Sequence, residues 1–309
     1  MLDQHLEAAR LESVRRFAAL RSFIVESANR TERGDTSFRV SQYSGWVLLA
    51  YAATEAAITS LGKAAMLALS DAASTPDGLP PAVRFEHRAR MLRHLSVDAG
   101  KNGDTPAFLT ALRSLDANDW ARYSPLMRVD GNVWPDTIRE LLGRIGADAP
   151  WMSHPTLSGT ESASSRLGAL VEERNQIAHG QLPEDLLSAS LMCVWVEDVE
   201  HFVRLTFATS QARIAEMFID LALDSIGVID DAAPAMSAET VPLARVDAEL
   251  RPGDHVLIVT DGSPRGVKVG QVASLQSDGV VLEEARPGDA RVAVTLNRDA
   301  SGCALYRAL

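Results

Sequence analysis

Leu167-Gly-Ala-Leu-Val-Glu-Glu-Arg-Asn-Gln-Ile-Ala-His-Gly180 is the stretch whose reading decides the fold. On a helical wheel Leu167, Leu170, Val171, Ile177 and Ala178 share one face, the spacing of an amphipathic helix. Arg174 falls in the middle of that apolar face. An arginine keeps its charge, so a partner or an anionic ligand has to accompany it there. His179 follows five residues later, carrying the side chain that ordinarily titrates near neutrality. Gly180 and Pro183 stop the helix, which leaves the imidazole at a helix end. Ideal geometry sets Arg174 and His179 about 140° apart, so they meet only if the end frays or a second copy supplies one half. Asn175 and His179, at i and i+4, do share a face. An amide, an imidazole and a fixed cation around one cleft suit phosphate chemistry. The structural alternative is an ion pair between Arg174 and a buried carboxylate, with His179 capping carbonyls.

Working outward, residues 40–69 form the second informative segment. Between Arg39 and Lys63 the only charged side chain is Glu55, inside Trp46-Val-Leu-Leu-Ala-Tyr-Ala-Ala-Thr-Glu-Ala-Ala-Ile58. A lone carboxylate in so apolar a helix is expected to be protonated, paired or functional. The economical expectation is that Glu55 faces Arg174 and orients the guanidinium bidentately. Contact with the His179 imidazole is the alternative. Tyr51, one turn earlier, either packs or donates its hydroxyl into the same cleft.

Arg174-Asn-Gln-Ile-Ala-His179 followed by glycine resembles the R-x4-6-H motif of HEPN domains. The wording around it is similar to the MAE_28990/MAE_18760 and RiboL-PSP branch of that superfamily. That family also has a helix with a glutamate after aromatic and small residues, as at Glu55, upstream of its arginine–histidine motif. The resemblance covers roughly residues 38–220 and is poor over 70–135. It implies a metal-independent endoribonuclease working as a homodimer on RNA, without a cofactor, in a toxin–antitoxin or antiviral setting. Arg174, His179 and Asn175 would then be the catalytic group, with Glu55 and Tyr51 supporting it. The other expectation is a HEPN fold kept only for dimerisation and docking, with the C-terminal barrel as a protein- or nucleic-acid-recognition domain.

Before the second segment, residues 2–28 read as a first bundle helix, with Leu6, Val14, Phe17 and Ile24 on an approximate stripe. After it, 71–83 is a loop by its prolines and glycine. Residues 84–97 gather Arg84, His87, Arg88, Arg90, Arg93 and His94, the one clearly basic cluster. Arg84, Arg88, Arg90 and Arg93 are candidates to hold an RNA backbone; a solvated face is the alternative. Short helices are expected around 106–115 and 135–145, with Thr160 or Ser162 capping the motif helix. Pro183 with Glu184 and Asp185 predicts the next helix start, running to about 221 along Leu187, Leu191, Trp195, Val199, Phe202 and Thr206. His201 on that helix reads as a surface or dimer-interface residue.

From Gly227 to Val246 the Asp, Ala, Pro and Ser content predicts a linker. Beyond it the period changes to that of strands: 255–260, 267–275, 280–284, 291–296 and 303–309, separated by turn chemistry. Five strands in so short a span predict a small SH3-like barrel. Arg-Pro-Gly-Asp occurs at 251–254 and again at 286–289, read as a recurring turn. The expected organisation is therefore mainly α. A HEPN-like helical bundle occupies 1–226 with an insertion around 70–135, followed by a linker at 227–246 and a β-barrel at 247–309.

The net charge of −11 argues against a broad, sequence-indifferent nucleic-acid surface, though not against a local basic cleft. The barrel region carries nine acids against seven bases, which does not favour RNA there. Cys193 and Cys303 form no disulfide framework and have no metal-ligand spacing. No metal constellation, glycine-rich phosphate loop or Gly-x-Ser-x-Gly turn is present. The charged start and the Glu55 interruption of the 40–62 run argue against a leader or a membrane span, so a cytosolic protein is expected. An antitoxin or another regulatory protein is a further expected partner.

Overall fold

The computed structural model describes all residues except 1, 30–35, 103–119, 160, 184, 219–224, 231–236, 261–266, 298–299, 301–302 and 308–309. The chain divides into two compact units, Met1–Phe207 and Ala208–Leu309. The first is helical. Helix α1 spans Leu2–Asn29 and α2 spans Thr36–Ala72. On α1 the buried residues Leu6, Ser13, Phe17, Leu20 and Ile24 recur at helical spacing, and that stripe packs on α2. The Trp46 indole N–H donates to the Ser27 hydroxyl at 2.9 Å, fixing the register of the pair.

At 37 residues α2 is the spine of the unit, roughly 55 Å long at the rise of an α-helix. It is buried along Tyr43, Trp46, Val47, Ala50, Tyr51, Thr54, Ile58, Leu61, Ala65 and Leu69. Its small residues let other segments come close. A Cβ placed on Gly62 would lie 2.2 Å from the Met127 carbonyl oxygen, so that approach requires glycine.

Among the described residues of this unit α3 (Pro81–Asn102), α4 (Trp120–Tyr123), α5 (Pro135–Arg144) and α6 (Ala163–Ala178) follow. The helix expected at 106–115 lies outside the described residues. Helix α3 starts earlier than the basic run alone predicts, because Pro81 opens its first turn. Helix α7 spans Ala189–Met217 and gives its last turns, from Ala208, to the second unit.

The start of α7 corrects the expectation at Pro183. Residues 185–188 are irregular, and the Ser188 hydroxyl accepts from the Leu191 N–H at the true start. Its apolar stripe shifts accordingly. Met192, Trp195, Val196, Val199, Phe202, Val203, Thr206 and Phe207 are buried, whereas Leu191 is 56% exposed.

The second unit is an antiparallel, nearly closed barrel. Its strands are β1 (Gly227–Ile229), β2 (Thr240–Val246), β3 (His255–Thr260), β4 (Val267–Ser277), β5 (Val280–Leu282), β6 (Ala290–Leu296) and β7 (Cys303–Arg307). Their order is β1-β2-β6-β4-β3-β7, with β5 paired to β4. The five strands expected from the sequence are present. Strands β1 and β2 occupy the stretch whose composition predicts a linker. Ser225 bridges Tyr306, and the Ile226 N–H donates to the Leu305 carbonyl at 3.0 Å, bringing the residues just before β1 against β7.

Period-two alternation fills the interior with Val241, Leu243, Val256, Ile258, Val272, Leu275, Val292, Val294, Leu296 and Leu305. Ala212 and Ala215, on the last turns of α7, pack on Leu257.

The two Arg-Pro-Gly-Asp segments adopt the same turn. In each, an aspartate Oδ2 accepts from the arginine backbone N–H at 2.7 Å, Asp254 from Arg251 and Asp289 from Arg286. Gly253 and Gly288 take φ of 95° and 98°, which favours glycine. Leu250 and Ala285, just before the turns, exchange both backbone hydrogen bonds at 2.9 and 2.8 Å.

Candidate functional site

Ser162 begins α6: its hydroxyl accepts from the Ser165 N–H at 3.1 Å, as a serine cap should. Leu167, Leu170 and Val171 bury one face of the helix, while Ile177 is half-buried and Ala178 exposed. The apolar stripe therefore fades toward the C-terminus, where Arg174 and Asn175 are both half-buried. His179 is the C-cap residue, its N–H donating to the Asn175 carbonyl at 3.0 Å, and its side chain is exposed. Gly180, at φ 81°, turns the chain out of the helix.

The guanidinium of Arg174 is held in two ways. Its Cζ stands 4.6 Å from the centroid of the Tyr51 ring, a cation–π contact of about 0.5–2 kcal/mol. Its Nη1 donates to the Asn175 Oδ1 at 2.9 Å. The same oxygen accepts from Asn132 Nδ2 at 3.3 Å. Asn132 Oδ1 in turn accepts from the Tyr51 hydroxyl at 3.2 Å, and that hydroxyl accepts from the Val133 backbone N–H at 3.3 Å. One polar chain therefore runs from a loop, across α2, to the motif on α6. Burial raises the Tyr51 phenol above its ordinary value; the Val133 N–H lowers it, Glu55 raises it and Arg174 lowers it. The phenol keeps its proton and remains a donor.

Glu55 departs from expectation. It is exposed, and among the described residues the Arg174 guanidinium is held by Tyr51 and Asn175 instead. The reason lies in α2. Leu48, Ala52, Glu55, Thr59 and Lys63 form its exposed face, and Glu55 belongs to that face. Its carboxylate contributes to the raised Tyr51 phenol, after burial. Tyr51 is 2% exposed, and its hydroxyl donates to Asn132 Oδ1 at 3.2 Å.

Asn132 escaped the sequence reading. Its one signal is the Asp130-Gly131-Asn132 turn, where Gly131 has φ 87°. The loop that carries it is fastened by Arg144, which is buried. Its Nη1 donates to the carbonyls of Leu126 and Arg128 at 3.1 and 2.7 Å, and its Nη2 pairs with Glu140 at 3.3 Å. On the other side of the motif, burial and then Asp185 raise the Glu173 carboxyl. Burial also pushes the Tyr43 phenol up, followed by the charges of Glu173 and Asp185.

The basic cluster is more engaged than a free basic face. Arg84 and Arg88 both reach the Asp77 carboxylate, at 3.4 and 3.2 Å. Arg90 pairs with Glu86 and with Glu140, each at 2.6 Å. Arg88 and Arg93 are exposed on this helix, whereas Arg84 and Arg90 are half-buried. His87 is fully buried, bonded to the Ser124 hydroxyl at 2.8 Å and edge-on to Trp120. It therefore belongs to the core. His201 is half-buried on α7, its imidazole held below the ordinary value by burial and then by Arg204, with Asp198 opposing.

Among the described residues no group of three or more His, Cys, Asp or Glu is placed to hold a metal ion, and no helix is long and apolar enough to cross a membrane. Cys193 and Cys303 are free thiols. No curated protein matches the chain. A family model described as RiboL-PSP-HEPN matches residues 12–209, taking in most of α1 and the 70–135 region as well as the motif.

Proposed function

The chain belongs to the RiboL-PSP-HEPN family, and from that premise we propose that it is an endoribonuclease acting as a homodimer. The observation that supports this is the state of Arg174. Its guanidinium is fixed on an aromatic ring and an amide oxygen, with no carboxylate neutralising it among the described residues. A cation so held is available to an anionic ligand.

In the proposed reaction the 2′-hydroxyl of RNA attacks the adjacent phosphorus, and the P–O5′ bond breaks. The products are a 2′,3′-cyclic phosphate and a 5′-hydroxyl end. His179 takes the 2′-hydroxyl proton as the 2′-oxygen bonds to phosphorus and passes it to the departing 5′-oxygen, which leaves as the 5′-hydroxyl, an effect typically worth about 10²–10⁴ in rate. Arg174 holds the charge that develops on the phosphorane, on the order of 3 kcal/mol for one well-placed donor. Asn175 orients the phosphate beside it. Because His179 and Arg174 share no hydrogen bond within the chain among the described residues, the cleft is proposed to be completed across a two-fold axis. Arg84, Arg88, Arg90 and Arg93 are the proposed contacts to the flanking RNA backbone. The proposed setting is a cytosolic toxin or antiviral effector restrained by an antitoxin or other regulatory protein.

The exposure of His179 favours a second reading, in which the bundle serves only for docking. Incubating purified protein with total RNA in EDTA, beside an Arg174→Ala/His179→Ala variant, separates the two. Cleavage by the parent alone supports the nuclease. No cleavage by either, with a protein partner from the native host still bound, supports docking.

A further inference from the structure

We infer that Asn132 is a positioning residue that, with the Tyr51 hydroxyl, orients the Asn175 amide so that Asn175 presents only N–H donors to the RNA phosphate. The inference rests on the nuclease reading for its substrate, and on donor–acceptor chemistry for its geometry.

The polarity of the chain is fixed from both ends. At one end the Val133 backbone N–H can only donate, so the Tyr51 oxygen accepts there and has its own proton left to give. It gives it to Asn132 Oδ1, which turns Asn132 Nδ2 toward Asn175. At the other end a guanidinium has no acceptor, so the Asn175 atom facing Arg174 must be the oxygen. That oxygen receives Arg174 and Asn132 together. Both directions give one arrangement. Asn175 Oδ1 has both its lone-pair positions occupied, and Asn175 Nδ2 makes no hydrogen bond among the described residues.

An asparagine held at one point flips its amide freely between donor and acceptor faces. Held at two, it cannot, and the half-buried pair of Arg174 and Asn175 offers N–H groups alone. A site of that kind favours phosphate oxygens and gives nothing to a hydroxyl seeking an acceptor. The two functions of Tyr51 are also separable. Its ring carries the guanidinium and its hydroxyl carries the amide relay.

Tyr51→Phe keeps the ring and removes the relay; Asn132→Asp keeps the size and replaces the donor with an acceptor. Ile24→Val, in the core of α1, controls for general loss of stability. Each is assayed for RNA cleavage in EDTA under multiple turnover, and Asn175 side-chain amide signals are followed in protein carrying ¹⁵N-asparagine, assigned with Asn175→Ser. The expected result is a fall in kcat of about tenfold for Tyr51→Phe and about a hundredfold for Asn132→Asp, with KM within about twofold, as for a misdirected oxyanion donor. The Asn175 amide signals shift in both variants and stay in place in Ile24→Val. If the parent cleaves RNA and kcat is unchanged in both variants, the relay is overturned while the nuclease reading stands. Should the parent cleave nothing, the nuclease reading falls and the amide signals decide the relay alone. Unmoved signals overturn it.

Discussion

Arg144→Ala should cost the helical unit about 3 kcal/mol and loosen the Asn132 loop before the rest of the bundle. The guanidinium makes two charge-assisted bonds, to the Leu126 and Arg128 carbonyls. At roughly 1.5–3 kcal/mol each, their loss sums to roughly 3–6 kcal/mol. Against this, Arg144 Nε is buried without a partner among the described residues. Removing it recovers about 1–3 kcal/mol. The Glu140 contact adds little, because that carboxylate is 60% exposed. For a unit of this size 3 kcal/mol corresponds to roughly 6–12 °C in Tm. Urea unfolding followed by helical circular dichroism measures the cost. Hydrogen exchange at Arg128–Val133 reads the loop directly. Arg144→Met, which restores apolar contact without donors, should recover part of the stability and none of the loop protection. A loss below about 1 kcal/mol with unchanged exchange at Asn132 would refute the reasoning, since the loop would then hold without its clasp.

Other consequences follow from the same geometry. Arg174→Ala should lower RNA cleavage by about 10²–10³ in single-turnover assays, with Tm falling by roughly 1–8 °C for the lost contact with the Tyr51 ring. Gly62→Ala puts a methyl 2.2 Å from the Met127 oxygen, and a loss of about 1–3 kcal/mol is expected in urea unfolding; a neutral result would show that the Met127 segment moves away freely. Burial holds the His201 imidazole below its ordinary value, so the unfolded chain takes up that proton first. Stability should therefore fall as pH drops from about 7 through the unfolded value near 6.5, and His201→Gln should flatten that part of a Tm-against-pH curve. Trp46→Phe removes the donor to Ser27 and should cost about 1 kcal/mol, or more if the ring repacks poorly.

The helices were legible wherever burial follows a simple period. Residues 2–28, 40–69 and 135–144 are helical in the structure, and the Ser162 hydroxyl caps as its place in the sequence suggests. The place of Glu55 is not legible in the sequence, because alanine is at home on either face of a helix. With Ala52, Ala53, Ala56 and Ala57 around it, nothing marks which side is wet. The start of α7 was drawn to Pro183, a good first-turn residue, although Ser188 supplies the hydroxyl that caps it. Strand β2 was hidden by Pro242, which breaks a strand reading although its carbonyl still accepts from the Asp230 N–H at 2.9 Å. Within the site, Arg174, Asn175 and Tyr51 could be read from one segment or its neighbour. Asn132 could not, for it meets Tyr51 across 81 positions and Asn175 across 43, and a Gly-Asn pair reads locally as a turn.

The edge-closing contacts of the barrel make its connectivity a matter of convenience. Ser225, where the unit begins to pair, lies beside Tyr306 on its last strand. A short graft between those points, with the chain opened instead at the Asp278–Gly279 hairpin, would preserve the long ladders. Such a circularly permuted cassette could carry a reporter at the new ends, turning the barrel from a tail into a removable handle.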